Sequence, residues 1–325
     1  MENINALNKL LSENYDIKIK ELAIIDSHFG TEIFSIETNA KKYIVKTLPL
    51  YVERLENEGR ITEYLYNNGI SVARLLKTRS GNYCIKSNEL QLHVQEFIEG
   101  RTLSVNTAPD WFMEKSACTL GKIHNTLKGY DELKVNFGNE FFNKANIIST
   151  IKHYNELLAK AIDENNISLA NSLEERVKHL ERISSFDICT EKLTYSNSHG
   201  DFHIGQIITE NKDITVIDWT SASRMPICLE VINSYITEDP ACVNGKVNIE
   251  NLKKYLASYL KYFPLNNYDI KMMPYVLYYQ QLMCHYQPPY NNIPDTYKPI
   301  CNLINCFTKW LYDNVDALSR ELLQV

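Results

Sequence analysis

The chain of 325 residues, 44% hydrophobic and 23% charged, has the composition of a globular protein with one large domain or two smaller ones. A formal net charge of −6 and a pI near 5.8 argue against nucleic acid or an anionic membrane surface as a partner. No apolar run approaches the roughly 20 residues that a membrane span needs. The eight cysteines include no Cys-x-x-Cys pair, which argues against zinc and a disulfide framework. Because the first residues lack a basic segment and an apolar core, we expect a cytoplasmic protein.

Predicted strands dominate the first third of the chain. An amphipathic helix over 1–14 comes first, and a second helix over 52–67 stops at Asn68-Gly69, where a Gly cap would end it. Strands are predicted over 17–25, 32–37, 42–48, 82–86 and 90–97. Residues 1–98 therefore predict a small N-terminal lobe, a five-stranded antiparallel sheet with one helix inserted after the third strand.

From Gly100 onward the pattern becomes helical. Apolar residues recur at helical spacing over 111–125, 147–162, 169–183, 228–236, 249–262, 268–285 and 302–322. Residues 99–325 therefore predict a larger, mainly helical C-terminal lobe, and the whole chain an α+β fold. Two such lobes imply a cleft, which is a favoured place for a ligand.

The segment His199-Gly200-Asp201-Phe202-His203 precedes a predicted hairpin. Strands over 204–209 and 214–218 are joined by a polar turn. With Asn211 and Lys212 at the turn centre, Gln206 lies opposite Ile217 and Gly205 opposite Asp218. Asp201, Asp218 and Gln206 then converge at one end of the hairpin. Hard oxygen ligands beside a separate carboxylate suit Mg²⁺-assisted phosphoryl transfer. Either aspartate alone could be an ordinary turn residue, but the spacing of the whole string favours the functional interpretation.

Two charges lie on apolar faces of the N-terminal portion. Strand alternation puts Lys46 on the face of Ile44 and Leu48, and helical spacing puts Glu58 in an apolar stripe. A charge in such a place is costly without a counter-charge, so each residue is a candidate partner for the other. The alternatives are a lysine that extends to the sheet edge, a glutamate at the stripe boundary, or a different glutamate partner (Glu53, Glu56 or Glu63).

At residues 199–219 the chain resembles the aminoglycoside phosphotransferase and choline kinase family, the small-molecule relatives of protein kinases. The family pattern is His-Gly-Asp, four residues, Asn, and then Ile-Asp-Trp or Ile-Asp-Phe. The resemblance implies a bilobal protein-kinase-like fold, with Asp201 as the catalytic aspartate and Asp218 as the main Mg²⁺ ligand. Gln206 stands in place of the usual Asn, which puts the amide oxygen one methylene further from a second metal. Glu230 occupies the place of an aspartate that supports the catalytic loop.

The resemblance also implies an ATP site. Lys46, oriented by Glu58, would contact the α- and β-phosphates. Backbone amides near Phe29, Gly30 and Thr31 would reach the phosphates, although this segment could equally be a plain hairpin turn. At the hinge, the carbonyl of Glu96 and the amide of Ile98 would bind the adenine edge. The apolar candidates for sandwiching the base are Ile25, Ile44 and Ile217.

The resulting hypothesis is an ATP-dependent phosphotransferase that acts on a hydroxyl of a small molecule, with Mg²⁺ as cofactor. We favour an antibiotic-type amine or amino-alcohol as the acceptor, with His203 on the substrate side. Alternatives are a kinase for a metabolite such as choline, homoserine or methylthioribose, and a catalytically silent kinase-like spore-coat or scaffold protein. A protein kinase is disfavoured because the Asp-Phe-Gly and Ala-Pro-Glu landmarks are missing.

The tyrosine-rich run over 275–290 allows two interpretations. Its five tyrosines could line an aromatic subsite for an ammonium group. Alternatively, the run could form a tyrosine-rich helix that packs in the protein core, which is the interpretation we favour. The five tyrosines are Tyr275, Tyr278, Tyr279, Tyr286 and Tyr290.

Overall fold

The computed structural model describes residues 2–28, 31–49, 55–86, 90–283 and 298–324. The helices are α1 (Glu2–Tyr15), α2 (Leu55–Asn67), α3 (Asp110–Leu127), α4 (Asn139–Phe142), α5 (Lys144–Asp163), α6 (Ile167–Ser184), α7 (Ile227–Glu238), α8 (Ile249–Leu260), α9 (Asn267–Met283) and α10 (Lys298–Leu322). The strands are β1 (Glu21–His28), β2 (Thr31–Glu37), β3 (Lys42–Pro49), β4 (Cys84–Lys86), β5 (Leu90–Glu96), β6 (Arg101–Thr102), β7 (Tyr195–Ser198), β8 (Ile207–Glu210), β9 (Asp213–Val216) and β10 (Ser223–Pro226).

The chain divides into two compact units. The first unit contains Met1–Thr102 and Gln206–Ala222, and the second contains Leu103–Gly205 and Ser223–Val325. The sequence analysis assigns 206–222 to the C-terminal lobe, whereas here this segment groups with the N-terminal residues. Strand pairing accounts for the difference, because β8 pairs with β6 and Val216 forms a bridge with Val72.

The first unit contains the predicted five-stranded antiparallel sheet, in the order β1-β2-β3-β5-β4, and α2 follows β3 as predicted. Alternation along β3 and β5 gives the sheet two different faces. Val45 and Val94 belong to a buried cluster with Leu11 of α1. Lys46 and its cross-strand partner His93 alternate with those residues and therefore lie on the other face.

The hairpin of the first unit has the predicted register. Ile207 pairs with Val216, and the N–H of Ile217 donates to the carbonyl of Gln206 at 2.9 Å. Asn211 and Lys212 both have positive φ, 49° and 66°, as a tight two-residue hairpin turn requires. Strand β8 begins three residues later than predicted, because Ile204–Gln206 forms a 3₁₀ turn in place of strand, and β9 ends at Val216, before the predicted end at 218.

The second unit is mainly helical, as predicted. Helices α5 and α6 pack together, as do α3 and α8, and α9 packs against both α7 and α10. Every residue of α7 except Asn233 is buried, so this helix lies in the core of its unit. Helix α4 is not predicted, since four residues are too few to show a helical period. Among the described residues, no helix has the length and apolar character of a membrane span.

Candidate active site

Lys46 and Asp218 form an ion pair in the first unit. The Lys46 Nζ lies 2.9 Å from each carboxylate oxygen of Asp218, and both side chains are largely buried. Thr220 donates its hydroxyl to Asp218 Oδ1 at 2.6 Å. Asp218 has left-handed backbone angles, φ 57° and ψ 73°. Such a conformation is uncommon for a residue with a Cβ and tends to occur at functional sites, where the surrounding contacts hold it.

Glu58 contacts the residue that follows Asp218. It is fully buried on α2, and its Oε1 accepts the backbone N–H of Trp219 at 3.1 Å. Among the described residues, the predicted ion pair of Glu58 with Lys46 is not formed, because the ammonium lies against Asp218. Burial, with repulsion from Asp218, raises the pKa of Glu58 to about 7 against the attraction of Lys46. Glu58 therefore positions the backbone beside Asp218.

His93 is a buried member of this cluster that the sequence analysis does not single out. Its Nδ1 lies 3.6 Å from Glu58 Oε2, and neither ring nitrogen has a hydrogen-bond partner within the described part of the chain. Burial lowers its pKa to about 3, so the ring is neutral at physiological pH. The available signal was strand alternation, which puts His93 on the same sheet face as Lys46.

The other predicted nucleotide residues are spread over the first unit. Thr31 begins β2, and Phe29 and Gly30 lie outside the described residues. Glu96 ends β5, its N–H donates to the carbonyl of Arg74 at 2.9 Å, and its carboxylate pairs with the Arg74 guanidinium. Ile98 lies two residues after Glu96 and is half-buried. Of the three apolar candidates, Ile44 and Ile217 are half-buried and Ile25 is exposed. Contacts among these residues do not by themselves define an adenine pocket.

Asp218 and Gln206 offer oxygen ligands that suit Mg²⁺. Gln206 is half-buried, and its backbone is tied to Ile217 by the hairpin hydrogen bond. Among the described residues, no cluster of three or more His, Cys, Asp or Glu side chains could hold a metal. Mg²⁺ commonly takes only one or two protein carboxylates and fills its remaining positions with water and substrate phosphates. A carboxylate and an amide therefore fit that ion.

In the second unit, Glu230 of α7 supports the loop that carries Asp201, in agreement with the prediction. Its Oε1 accepts the N–H of Gly200 at 2.5 Å, and its Oε2 lies 2.8 Å from His124 Nε2. Burial alone would raise the pKa of Glu230, but its contact with His124, its electrostatic interaction with His199 and the hydrogen bond from the N–H of Gly200 lower it overall. The ionised carboxylate holds Gly200, which has φ 85°.

Asp201 is an exposed carboxylate of the second unit. Its side chain is 54% exposed, and Oδ2 lies 3.7 Å from His203 Nε2. The N–H of Gly205 donates to His203 Nδ1 at 3.0 Å, so a neutral ring carries its proton on Nε2, the nitrogen nearer Asp201. Both side chains line a cavity of about 400 Å³, within the usual size range of small-molecule sites.

Two tyrosines of α9 pack in the core. Tyr278 and Tyr279 are fully buried; the Tyr278 hydroxyl lies 2.6 Å from His179 Nδ1, and Tyr279 donates to the carbonyl of Phe141. Tyr275 donates to Asp316 at 2.6 Å. For Tyr278 and Tyr279 the core interpretation is confirmed, whereas Tyr275 is half-buried, and Tyr286 and Tyr290 lie outside the described residues.

A five-stranded sheet with an inserted helix, followed by a mainly helical unit, defines a kinase-like protein. The sequence profile of the phosphotransferase enzyme family (APH) matches residues 21–250, and the chain belongs to that family. No curated protein matches the chain in sequence.

Three solved structures share the fold over nearly the whole chain. The amicoumacin kinase hAmiN is 13% identical, with a TM-score of 0.61 and coverage of 97% of this chain and 96% of its own. The spectinomycin phosphotransferase APH(9)-Ia is 15% identical, with a TM-score of 0.61 and coverage of 99% and 98%. Choline kinase from Cryptosporidium parvum Iowa II is 13% identical, with a TM-score of 0.56 and coverage of 99% and 94%. At these identities the likeness establishes the fold.

Proposed function

We propose that this protein is a Mg²⁺- and ATP-dependent kinase that transfers the γ-phosphate to a hydroxyl of a small molecule. The observation that carries the proposal is the position of Asp201: in a member of a phosphotransferase family, its half-exposed carboxylate lines a cavity of about 400 Å³. A carboxylate at the edge of a ligand-sized cavity suits a group that accepts the proton of an acceptor hydroxyl.

The first unit supplies the nucleotide-binding residues in this proposal. Asp218 and Gln206 hold Mg²⁺, which neutralises phosphate charge when bound. Lys46, whose ammonium already lies among largely buried groups, contacts the phosphates, and Glu58 keeps the backbone beside Asp218 in place. The remaining nucleotide contacts are those of the sequence analysis: the amides near Phe29, Gly30 and Thr31, the hinge atoms of Glu96 and Ile98, and the apolar side chains Ile25, Ile44 and Ile217.

The second unit supplies the acceptor site. Asp201 orients the hydroxyl and takes its proton, and the Nε2–H of His203 positions the carboxylate or the acceptor oxygen. Neighbours named as kinases of amicoumacin, spectinomycin and choline support an antibiotic-type amine or an amino-alcohol as the acceptor. Since the choline kinase shares the fold at nearly full coverage, a metabolite kinase is the second candidate.

Acceptor-dependent ADP release by the purified protein with Mg²⁺-ATP tests the proposal. Asp201→Ala should lose about 10²–10⁴-fold in turnover while it retains nucleotide binding, because it removes the base and not the phosphate contacts. Asp218→Ala should weaken Mg²⁺-ATP binding itself. Asp213→Ala, an exposed position on the same hairpin, is the matched control and should leave both quantities unchanged.

Two results would count against the proposal. Near-parental turnover by Asp201→Ala would remove the role given to that residue. Failure of the parent protein to bind Mg²⁺-ATP would favour the catalytically silent alternative.

A further inference from the structure

The cavity beside Asp201 has a largely apolar wall. It is lined by residues of β10, α7, α9 and α10 and of the loops that carry Val105, Phe137 and 200–203; the apolar side chains include Phe137, Met225, Ile236, Leu303 and Phe307. Most of these side chains are buried in their own unit, so they form a packed surface. When an apolar part of a ligand covers such a surface, binding is favoured by about 25 cal/mol for each Å² of apolar surface removed from water.

Phe137 is held in place at this wall at a cost in backbone strain. It has φ 52°, an outlier for a bulky residue. Its carbonyl accepts the hydroxyl of Tyr195 at 2.7 Å, and its ring packs edge-on against Phe141 with 4.9 Å between centroids. Strain of this kind persists where surrounding contacts impose it and is common at ligand sites. Its half-buried ring is therefore a preformed aromatic contact for a ligand.

Besides Asp201, His203 and Glu230, the cavity presents amide and hydroxyl groups. Gln281 Oε1 is buried and has no partner among the described residues. Thr237 donates its hydroxyl hydrogen to the carbonyl of Ser234 at 2.8 Å, which leaves its oxygen as an acceptor. Asn233, the one residue of α7 that is not buried, adds an amide to the same wall. A ligand that carries hydroxyl or ammonium donors satisfies these acceptors.

The cavity offers little negative charge. Among the described residues that line the cavity, Asp201 and Glu230 carry a carboxylate, and none is a lysine or arginine. Glu230 is buried and engaged by Gly200 and His124, whereas the side chain of Asp201 is the more exposed of the two carboxylates. An ammonium group taken out of water without a counter-charge costs several kcal/mol. A ligand with several ammonium groups would therefore leave most of them uncompensated.

We infer that the acceptor is an alcohol with an apolar body and at most one ammonium group, and not a polycation, with Phe137 in contact with its apolar body. This inference rests on the proposed function, because it takes the cavity beside Asp201 as the acceptor site.

Direct binding tests the ligand class without relying on turnover. The parent protein, saturated with Mg²⁺ and a non-hydrolysable ATP analogue, is titrated with 2-amino-1-phenyl-1,3-propanediol, with the neutral 1-phenyl-1,2-ethanediol and with the polycation kanamycin A. The two phenyl alcohols should bind at least about tenfold more tightly than kanamycin A, since each unpaired ammonium costs at least that much. Tighter binding of kanamycin A, or no binding of either phenyl alcohol up to its solubility limit, would overturn the inference.

Two variants and one control variant test the assignment further. Phe137→Ala should weaken binding of both phenyl alcohols about tenfold, whereas Val135→Ala, an exposed residue outside the cavity lining, should not. Asn233→Asp adds a carboxylate of nearly the same shape and should improve kanamycin A binding relative to the parent. Equal effects of Phe137→Ala and Val135→Ala, or no gain from Asn233→Asp, would contradict the assignment.

ADP release with the same compounds reports on the proposed function separately. Preferential binding of phenyl alcohols without any acceptor-dependent ADP release would count against the kinase and leave the ligand class standing. ADP release with kanamycin A as the better acceptor would overturn the ligand class and leave the kinase standing.

Discussion

A Cβ atom added at Gly205 would lie 2.7 Å from Cε1 of His203 and 3.1 Å from its Nδ1. The glycine backbone also donates its N–H to that Nδ1 at 3.0 Å. The imidazole thus lies directly over a residue without a side chain, and this close approach explains the glycine at a position where φ is not positive. The packing fixes the orientation of His203 toward Asp201.

The first prediction is that Gly205→Ala displaces the His203 ring. We expect kcat/KM for the acceptor to fall by up to about a hundredfold, the usual cost of misplacing a catalytic group by about 1 Å. The KM for ATP should change little. In a His203→Ala background, Gly205→Ala should cost nothing further, because the clashing ring is gone. Equal losses in both backgrounds would show that the glycine acts independently of His203.

The second prediction separates the charge of Glu58 from its hydrogen bond. Glu58→Gln keeps an oxygen for the N–H of Trp219 and adds an amide that can donate to His93, so its KM for ATP should stay near the parental value. Glu58→Leu leaves the Trp219 N–H buried and unpaired, which should destabilise the fold by about 1–3 kcal/mol and raise the KM for ATP. Both are measured by urea unfolding and ATP titration. If Glu58→Gln and Glu58→Leu weakened ATP binding equally, the essential interaction would be the electrostatic attraction between Glu58 and Lys46.

The third prediction concerns the metal ligand on the hairpin. If the amide oxygen of Gln206 binds Mg²⁺, Gln206→Asn should be tolerated, whereas Gln206→Leu should raise the Mg²⁺ concentration required for half-maximal turnover. An apolar group cannot replace an oxygen ligand of a hard cation. Superimposable Mg²⁺ titrations for the parent and Gln206→Leu would exclude Gln206 as a ligand.

The fourth prediction concerns Glu238, a buried carboxyl in the second unit. Burial raises its pKa from 4.5 to about 8, against the hydrogen bonds from Ser116 and Ser234. The folded state binds the proton of the Glu238 carboxyl more tightly than the unfolded state does. The protonated carboxyl therefore contributes its full amount to the free energy of unfolding below pH 4.5, and this contribution is lost as the pH rises through about 8.

The measurement is the free energy of unfolding of the parent and of Glu238→Gln, which stays uncharged. The parent's stability relative to the variant should decline between pH 4.5 and about 8, with a slope of at most about 1.4 kcal/mol per pH unit. A difference that stays constant over this range would mean that Glu238 titrates normally.

Local sequence patterns determined most of the longer elements and the hairpin. Alternation and helical spacing predicted the five strands of the sheet, the inserted helix and the helices that follow, because side-chain direction repeats with the backbone period. The register of Gln206 opposite Ile217 followed from placing the turn at Asn211 and Lys212, since a two-residue turn leaves one pairing. The order of His-Gly-Asp and Ile-Asp-Trp likewise indicated the family before any contact was known.

The tertiary structure determined which side chains contact each other. Lys46 pairs with Asp218, 172 residues away, and not with the glutamate that helical spacing suggested. Glu58 accepts a hydrogen bond from the backbone N–H of Trp219. Because nearly every residue has a backbone N–H, residue type cannot predict such a partner. Likewise, the burial of His93 and the strained conformation of Phe137 follow from packing between elements distant in sequence. Local periodicity predicts the face of a helix or strand on which a residue lies. The partner that the residue contacts depends on how whole elements pack, and a local stretch of sequence does not determine that packing.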